Sequence, residues 1–230
     1  MGRPVIADGS LEAMKWLGLL AMTGDHVDKY LFNGTINVLF DAGRIAMPVF
    51  ACVLACNLAR PGVLTSGAYM RTMKRLMIFG VLGTPAFVAL GGLWAGWWPL
   101  NIMFALLAIT ATLYLVDRGA YIAAVVLFVM AGSSVEFWWP GLTVGVAVWW
   151  YCRRPGWMPL TCGVVALASL GWVNGNLWAL AAVPLLLLAS HVDLRVPRLR
   201  WVFYVFYPLH LSVLWLIRIP MGRAGYLFFG

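Results

Sequence analysis

Within twenty positions of an otherwise apolar stretch stand Asp25, His26, Asp28, Lys29, Asp41 and Arg44, three of the chain's eight acidic residues among them. An ionisable side chain inside a membrane-spanning segment is costly unless it is paired, hydrated or used. Two readings follow: a solvated hairpin between two spans, or an active site at the mouth of a helical bundle. His26 is the residue best suited to a central role in the second, because imidazole, with an ordinary pKa of about 6.5, accepts a proton and returns it close to neutral pH. Asp25 and Asp28 flank it as candidate catalytic carboxylates. Adjacent side chains on a helix point about 100° apart, so Asp25 does not share a face with His26. A carboxylate that orients the imidazole is then Asp28, just beyond the turn, or Asp41 from the next segment, and the sequence does not choose between them.

Arg44 lies about 9 Å inside its segment if that segment enters near Val38, at about 1.5 Å per residue. A guanidinium at that depth requires a partner. Asp41, three residues earlier, reaches the same face and offers a structural pair; the alternative is that Arg44 holds a phosphate, a carboxylate or a developing oxyanion with its bidentate fork. Lys29 is a second cation at the same mouth. His210 falls near the middle of the last apolar run, two residues after Pro208 and three after Tyr207. A histidine at that depth faces the bundle interior or a water-filled cavity, either closing one hydrogen bond to a carbonyl freed by the proline or touching substrate.

These residues need helices to carry them, and the apolar runs supply a count. A hydrocarbon core of about 30 Å takes about 20 helical residues. On that ruler spans fall near 11–32, 36–58, 76–95, 98–116, 119–135, 138–152, 157–173, 176–190 and 200–219, nine in all, or eight if the short later runs are merged. No soluble domain, linker or internal repeat interrupts them, so residues 1–230 are expected to form one all-α, polytopic integral membrane bundle. Pro48, Pro85, Pro184 and Pro208 fall inside spans, each releasing the carbonyl four residues earlier; for Pro48 that is Arg44. Basic residues alternate between connections: Arg60, Arg71, Lys74 and Arg75 follow the second span, Arg118 the fourth, Arg153 and Arg154 the sixth, and Arg195, Arg198 and Arg200 the eighth. This predicts a cytoplasmic N-terminus, with the connection holding Asp28 and Lys29 on the other side. Arg218 and Arg223 fit the alternation less well.

Composition narrows the function classes. The chain has 230 residues, is 63% hydrophobic and 10% charged, and its mean hydropathy is +0.89, which excludes a soluble globular domain. The net charge of +8 resides in short connections, as bilayer orientation requires, and gives no ground for nucleic-acid binding. Cys52, Cys56, Cys152 and Cys162 lack C-x-x-C spacing and read as packing residues, so no metal site is expected. Tryptophans at run ends suit an interfacial belt.

Lys15, Asp25-His26, the run Gly43-Arg44-Ile45-Ala46-Met47-Pro48-Val49-Phe50-Ala51 and the final Tyr207-Pro208-Leu209-His210 together resemble the TraX family. That family includes the conjugative pilin acetylase and the TrbP proteins of conjugation loci. The resemblance implies a transferase of the bacterial inner membrane that modifies a pilus subunit, with the role of the family's N-terminal-span histidine falling on His26. Arg44 and His210 fall in supporting positions, and Asp41, Lys29 and Tyr207 join them as substrate-binding candidates. It implies no bound cofactor, with acetyl-CoA as donor substrate, and a pilin subunit and membrane lipids as partners. Acetyl-CoA is cytoplasmic whereas His26 lies toward the opposite half, so the thioester arm would enter from the basic face, and no Gly-rich phosphate loop is evident there. Phosphatidylglycerol fits the geometry as an alternative donor: its phosphodiester lies at the level of Arg44 and Lys29, and glycerol phosphate would be the group transferred. A small-molecule permease using Arg44 and His210 and an assembly factor for the secretion channel are readings from other classes; the paired broken helices common in transporters are not visible.

Overall fold

The computed structural model describes residues 6–91, 93 and 95–225. Among them there is no β-strand beyond isolated bridges, and the chain folds into ten α-helices. They are α1 (Asp8–Leu31), α2 (Asn37–Gly43), α3 (Ala46–Leu58), α4 (Ala68–Leu90), α5 (Ile102–Asp117), α6 (Tyr121–Gly132), α7 (Trp138–Arg153), α8 (Trp157–Asn174), α9 (Ala182–His191, entered through a 3-10 turn at Trp178–Ala181) and α10 (Val202–Arg223).

With α2 and α3 taken as one broken rod, a helix stands where each span is expected, but the count of nine membrane crossings is not upheld. Four segments are long and apolar enough to cross a membrane: Asn37–Leu58, Ala68–Leu90, Trp157–Asn174 and Val202–Arg223. The rods at Ile102–Asp117, Tyr121–Gly132 and Trp178–His191 are apolar but shorter than a hydrocarbon core demands. The fold is that of a helical membrane protein. One boundary moves furthest. The fourth helix begins at Ala68, eight residues before the expected span, so Arg71, Lys74 and Arg75 ride on its first turns instead of in a connection; long basic side chains at a helix end reach back to the polar face. Asp28 and Lys29 likewise belong to the last turns of α1, which continues to Leu31. Residues 92 and 94, at the end of the third expected span, lie outside the described residues.

Three long helices run side by side in the same direction. Arg75 stacks over Trp201 at 4.6 Å, Gly83 meets Tyr207, and Arg218 donates to the Leu90 carbonyl, so α4 and α10 are in step from one end to the other. Lys15 over Phe203 at 4.4 Å and His26 against His210 put α1 in the same sense beside α10. The Arg218 contact caps the end of α4, which accounts for a basic residue on the side otherwise poor in them. In lipid, helices are held by close packing and interhelical polar contacts more than by hydrophobic exclusion. Gly83 illustrates this: a Cβ there would sit 2.9 Å from the Tyr207 ring, so the absence of a side chain lets α10 approach α4.

The break between α2 and α3 falls at Arg44 and Ile45, whose N–H groups donate to Asp41 and Ala42, three residues back. Pro48, in the first turn of α3, has no N–H to return to the Arg44 carbonyl, so the α-helical ladder has to be interrupted here. The proline kink expected in the sequence is this break. It turns the Arg44 side chain toward α1.

Candidate active site

A cavity of about 790 Å³ opens where the C-terminal end of α1, the α2–α3 break, the connection before α7 and the end of α8 converge. Asp25, His26, Asp28, Lys29, Arg44, Glu136 and Asn174 are its ionisable and amide lining residues.

His26 pairs with His210. Its Nδ1 lies 2.8 Å from His210 Nε2, and the two rings are parallel to within 3°. His210 Nδ1 lies 2.9 Å from the Phe206 carbonyl. A carbonyl only accepts, so His210 Nδ1 carries the proton and donates it. In the neutral ring Nε2 is then an acceptor, so His26 Nδ1 must be the donor of the next bond. The remaining atom, His26 Nε2, holds a free lone pair. A carbonyl on α10 thus fixes the tautomer of a histidine on α1, and it does so through a second histidine that is itself buried. Tyr207 stands edge-on to His210 with ring centres 5.6 Å apart, and Tyr30, 2% exposed, closes the other side of His26. Expectations that Asp28 or Asp41 orients His26 are corrected: the orienting group is His210.

The acids are engaged elsewhere. Asp25 forms an ion pair with Arg44. Arg44 Nε also donates to the Phe40 carbonyl at 3.1 Å, and the guanidinium lies 4.1 Å over the Phe40 ring. The Asp41–Arg44 pair offered by helical spacing does not form, because the break at Arg44 swings the two side chains apart; Asp41 instead accepts from Asn176 Nδ2 at 2.8 Å. Asp28, 1% exposed, accepts the Ile36 N–H at 2.8 Å and so ties the α1–α2 turn together, as a capping carboxylate does. Lys29 is exposed at the rim, its ammonium 5.2 Å from the Tyr30 ring. Gly43 is required for the Asp25–Arg44 contact: a Cβ at this position would overlap the Asp25 side chain.

Two cavity residues were not singled out by sequence. Asn174, 4% exposed, ends α8 with neither its amide nitrogen nor its oxygen hydrogen-bonded among the described residues. A buried amide with no partner is uncommon enough to require a reason. Glu136 sits in the connection before α7, held by Leu100 N–H to Ser134 O and Glu136 N–H to Leu100 O, both at 2.9 Å. Burial pushes its carboxyl up to about 7, against the pull of Lys29 and a hydrogen bond from the Ile102 backbone. The signal available was the isolation of Glu136 in a connection without basic residues. Among the described residues no group of three or more His, Cys, Asp and Glu side chains could hold a metal ion.

The fold is that of an all-helical membrane protein, and the site places an oriented histidine in a cavity that carries several ionisable side chains. The chain belongs to the TraX family, whose model, described as TraX protein, matches residues 10–218. That family is involved generally in the processing of conjugative pilin and is pilin acetylase-like, which suggests a transferase. No curated protein and no solved structure matches the chain.

Proposed function

We propose that this protein is an inner-membrane acyltransferase that acetylates a conjugative pilus subunit, with His26 as general base. The observation that carries the reading is the hydrogen-bonded series from the Phe206 carbonyl through His210 to His26, which leaves a basic nitrogen on a residue lining the cavity. In the reaction His26 Nε2 removes a proton from an amine or hydroxyl of the pilin as that group attacks the acyl carbonyl. A new bond forms to the carbonyl carbon, the carbon–sulfur bond of the thioester breaks, and His26 returns the proton to the departing thiolate. The imidazolium formed on the way keeps its Nδ1 bond to neutral His210, which stabilises it. The Asn174 amide is an available donor for the carbonyl oxygen as it gains charge, the role such groups play in oxyanion sites. Arg44, already paired with Asp25, shapes the wall and holds α2 against α1. Lys29 at the rim suits the approach of an anionic lipid or pilin segment. The orientation that fits is the N-terminus in the cytoplasm and the cavity on the far side.

Transfer of glycerol phosphate from phosphatidylglycerol uses the same base and is the second reading, supported by Lys29 at the cavity rim. The intact mass of the pilin, made with and without this protein, tests both. An acetyl increment is expected. A glycerol-phosphate increment replaces the donor and keeps the base, and an unchanged mass removes the transferase reading in favour of a permease.

A further inference from the structure

A second cavity, of about 380 Å³, lies at the opposite end of the three parallel helices. Five cations line it, Lys15, Arg71, Arg75, Arg198 and Arg200, and no carboxylate is among its lining residues. Arg71 and Arg75 come from the first turns of α4, and Arg198 and Arg200 from the segment that leads into α10, so the N-terminal ends of two helices add their positive potential to the same space. Glu12, buried beside it, takes Lys15 at 2.6 Å and Arg198 at 3.7 Å, which offsets one positive charge and leaves the excess in place. Arg75 lies against the rings of Trp201 and Tyr204, at 4.6 and 5.8 Å, which hold its guanidinium, a planar fork of donors, at the cavity wall. Below the cations the wall becomes apolar, through Phe50, Leu54 and Leu106. Met22 and Ile102 line this cavity and the His26 cavity alike, so they form the partition between the two.

We propose that this basic cavity binds the phosphate-bearing end of the donor substrate, a group carrying two or more negative charges, and that the donor's reactive arm passes the Met22–Ile102 partition to reach His26. The proposal rests on the transferase reading and adds a site to it. Several guanidinium groups around a space with an excess of positive charge form an arrangement that takes phosphate, since an arginine can form paired charge-assisted hydrogen bonds with it. The apolar lower wall suits an uncharged chain attached to that phosphate. Two sources present this chemistry, a soluble nucleotide-linked thioester carrier and the headgroup of an anionic phospholipid, and the cavity is tested against each.

The experiment is direct binding to the purified full-length protein, read without any transfer reaction. Coenzyme A and adenosine 3′,5′-bisphosphate are the soluble probes, measured in detergent; the lipid arm compares nanodiscs with and without phosphatidylglycerol, by native mass spectrometry of retained lipid. The variants are the double change Arg75→Gln with Arg200→Gln, and His26→Gln, each confirmed monodisperse. Binding of a soluble probe that weakens about ten- to hundredfold in the double arginine variant, the scale for losing hydrogen bonds to a charged group, and is unchanged in His26→Gln, supports the site with a soluble donor. Retention of phosphatidylglycerol that depends on the same arginines supports the site with a lipid donor. Binding of no probe, or binding indifferent to Arg75 and Arg200, overturns the proposal. A failed transferase reading has a different signature, an unchanged pilin mass with arginine-dependent binding intact.

Discussion

The two ends of the bundle treat charge in opposite ways. At the His26 end the aspartates have partners inside the protein: Asp25 pairs with Arg44, Asp41 accepts from Asn176, and one oxygen of Asp28 accepts from the Ile36 amide, while Lys29 stands exposed at the rim. At the other end five cations surround a cavity whose lining holds no carboxylate. The first arrangement fixes geometry, because paired groups hold their neighbours in place. The second leaves a field for an incoming anion. Pairing lowers the cost of the buried Asp25 and Arg44 charges at the first end, whereas the cations at the second reach toward the polar face. Under the proposed function, chemistry and capture would be separated along the helix axis.

The sharpest way to break this contrast is to remove the base. His26→Gln is expected to lower pilin modification by a factor of about 100 to 10,000 at normal protein level, the range for losing a general base. Quantifying modified and unmodified pilin by mass spectrometry checks it, and modification at the wild-type rate would leave the cavity without its central role.

Pairing at the His26 end makes a second prediction, in stability. Asp25→Asn or Arg44→Gln alone leaves a partly buried charge without its partner, at a cost of about 3–5 kcal/mol for a fully buried pair and less at this depth. The double variant should recover most of that loss in thermal unfolding of the detergent-solubilised protein. The same two changes combined with Asp41→Asn discriminate the observed pair from the one helical spacing suggested: only Asp25 should couple to Arg44. A cycle that couples Arg44 to Asp41 instead would contradict the geometry of the break.

A smaller loss is expected at His210, which acts on His26 and does not line the cavity. His210→Gln should slow transfer by roughly tenfold or more, on the scale seen when the outer partner that orients a functional histidine is removed. Its readout is a split: the rate constant falls while the donor concentration for half-maximal rate stays unchanged. A change confined to donor concentration would assign His210 to substrate binding.

How much of this was legible in the sequence follows from what each signal depends on. His26, Arg44 and His210 stood out because ionisable residues in apolar runs are costly, a property readable one position at a time. Their pairing was not readable, since it depends on α10 lying parallel to α1 and on a helix break that spoils the Asp41–Arg44 spacing. Asp28 drew attention as a catalytic candidate, yet its capping bond to Ile36 depends on a turn whose shape sequence does not give. The basic cavity was hidden for a related reason: Lys15, Arg75 and Arg200 are far apart in the chain, and each reads as an ordinary orientation signal. Span counting failed where apolar helices, α5 buried in the bundle, α6 largely and α9 partly exposed on it, lack the length to cross a bilayer.

Glu136 provides the smallest expected effect and a test of the His26 end by pH. Its carboxyl is pushed up to about 7 chiefly by burial, well above the 4.5 of an ordinary glutamate. Between these two values the folded protein therefore holds a proton that the unfolded chain has released. Linkage gives the sign: stability from this group is fully present below pH 4.5, declines as pH rises, and is lost once pH passes about 7. Glu136→Gln, which keeps the shape and cannot ionise, should match the wild type in thermal stability at low pH and exceed it by a few degrees at pH about 8, so the two curves diverge across this window. If Glu136 also takes part in transfer, pH–rate profiles will lose an inflection near the same value, and the stability curves alone remain sufficient to place the carboxyl in the cavity. Parallel stability curves for the two proteins would mean that Glu136 is ionised and solvated at neutral pH, and the His26 end would then carry a negative charge that its internal pairing does not answer.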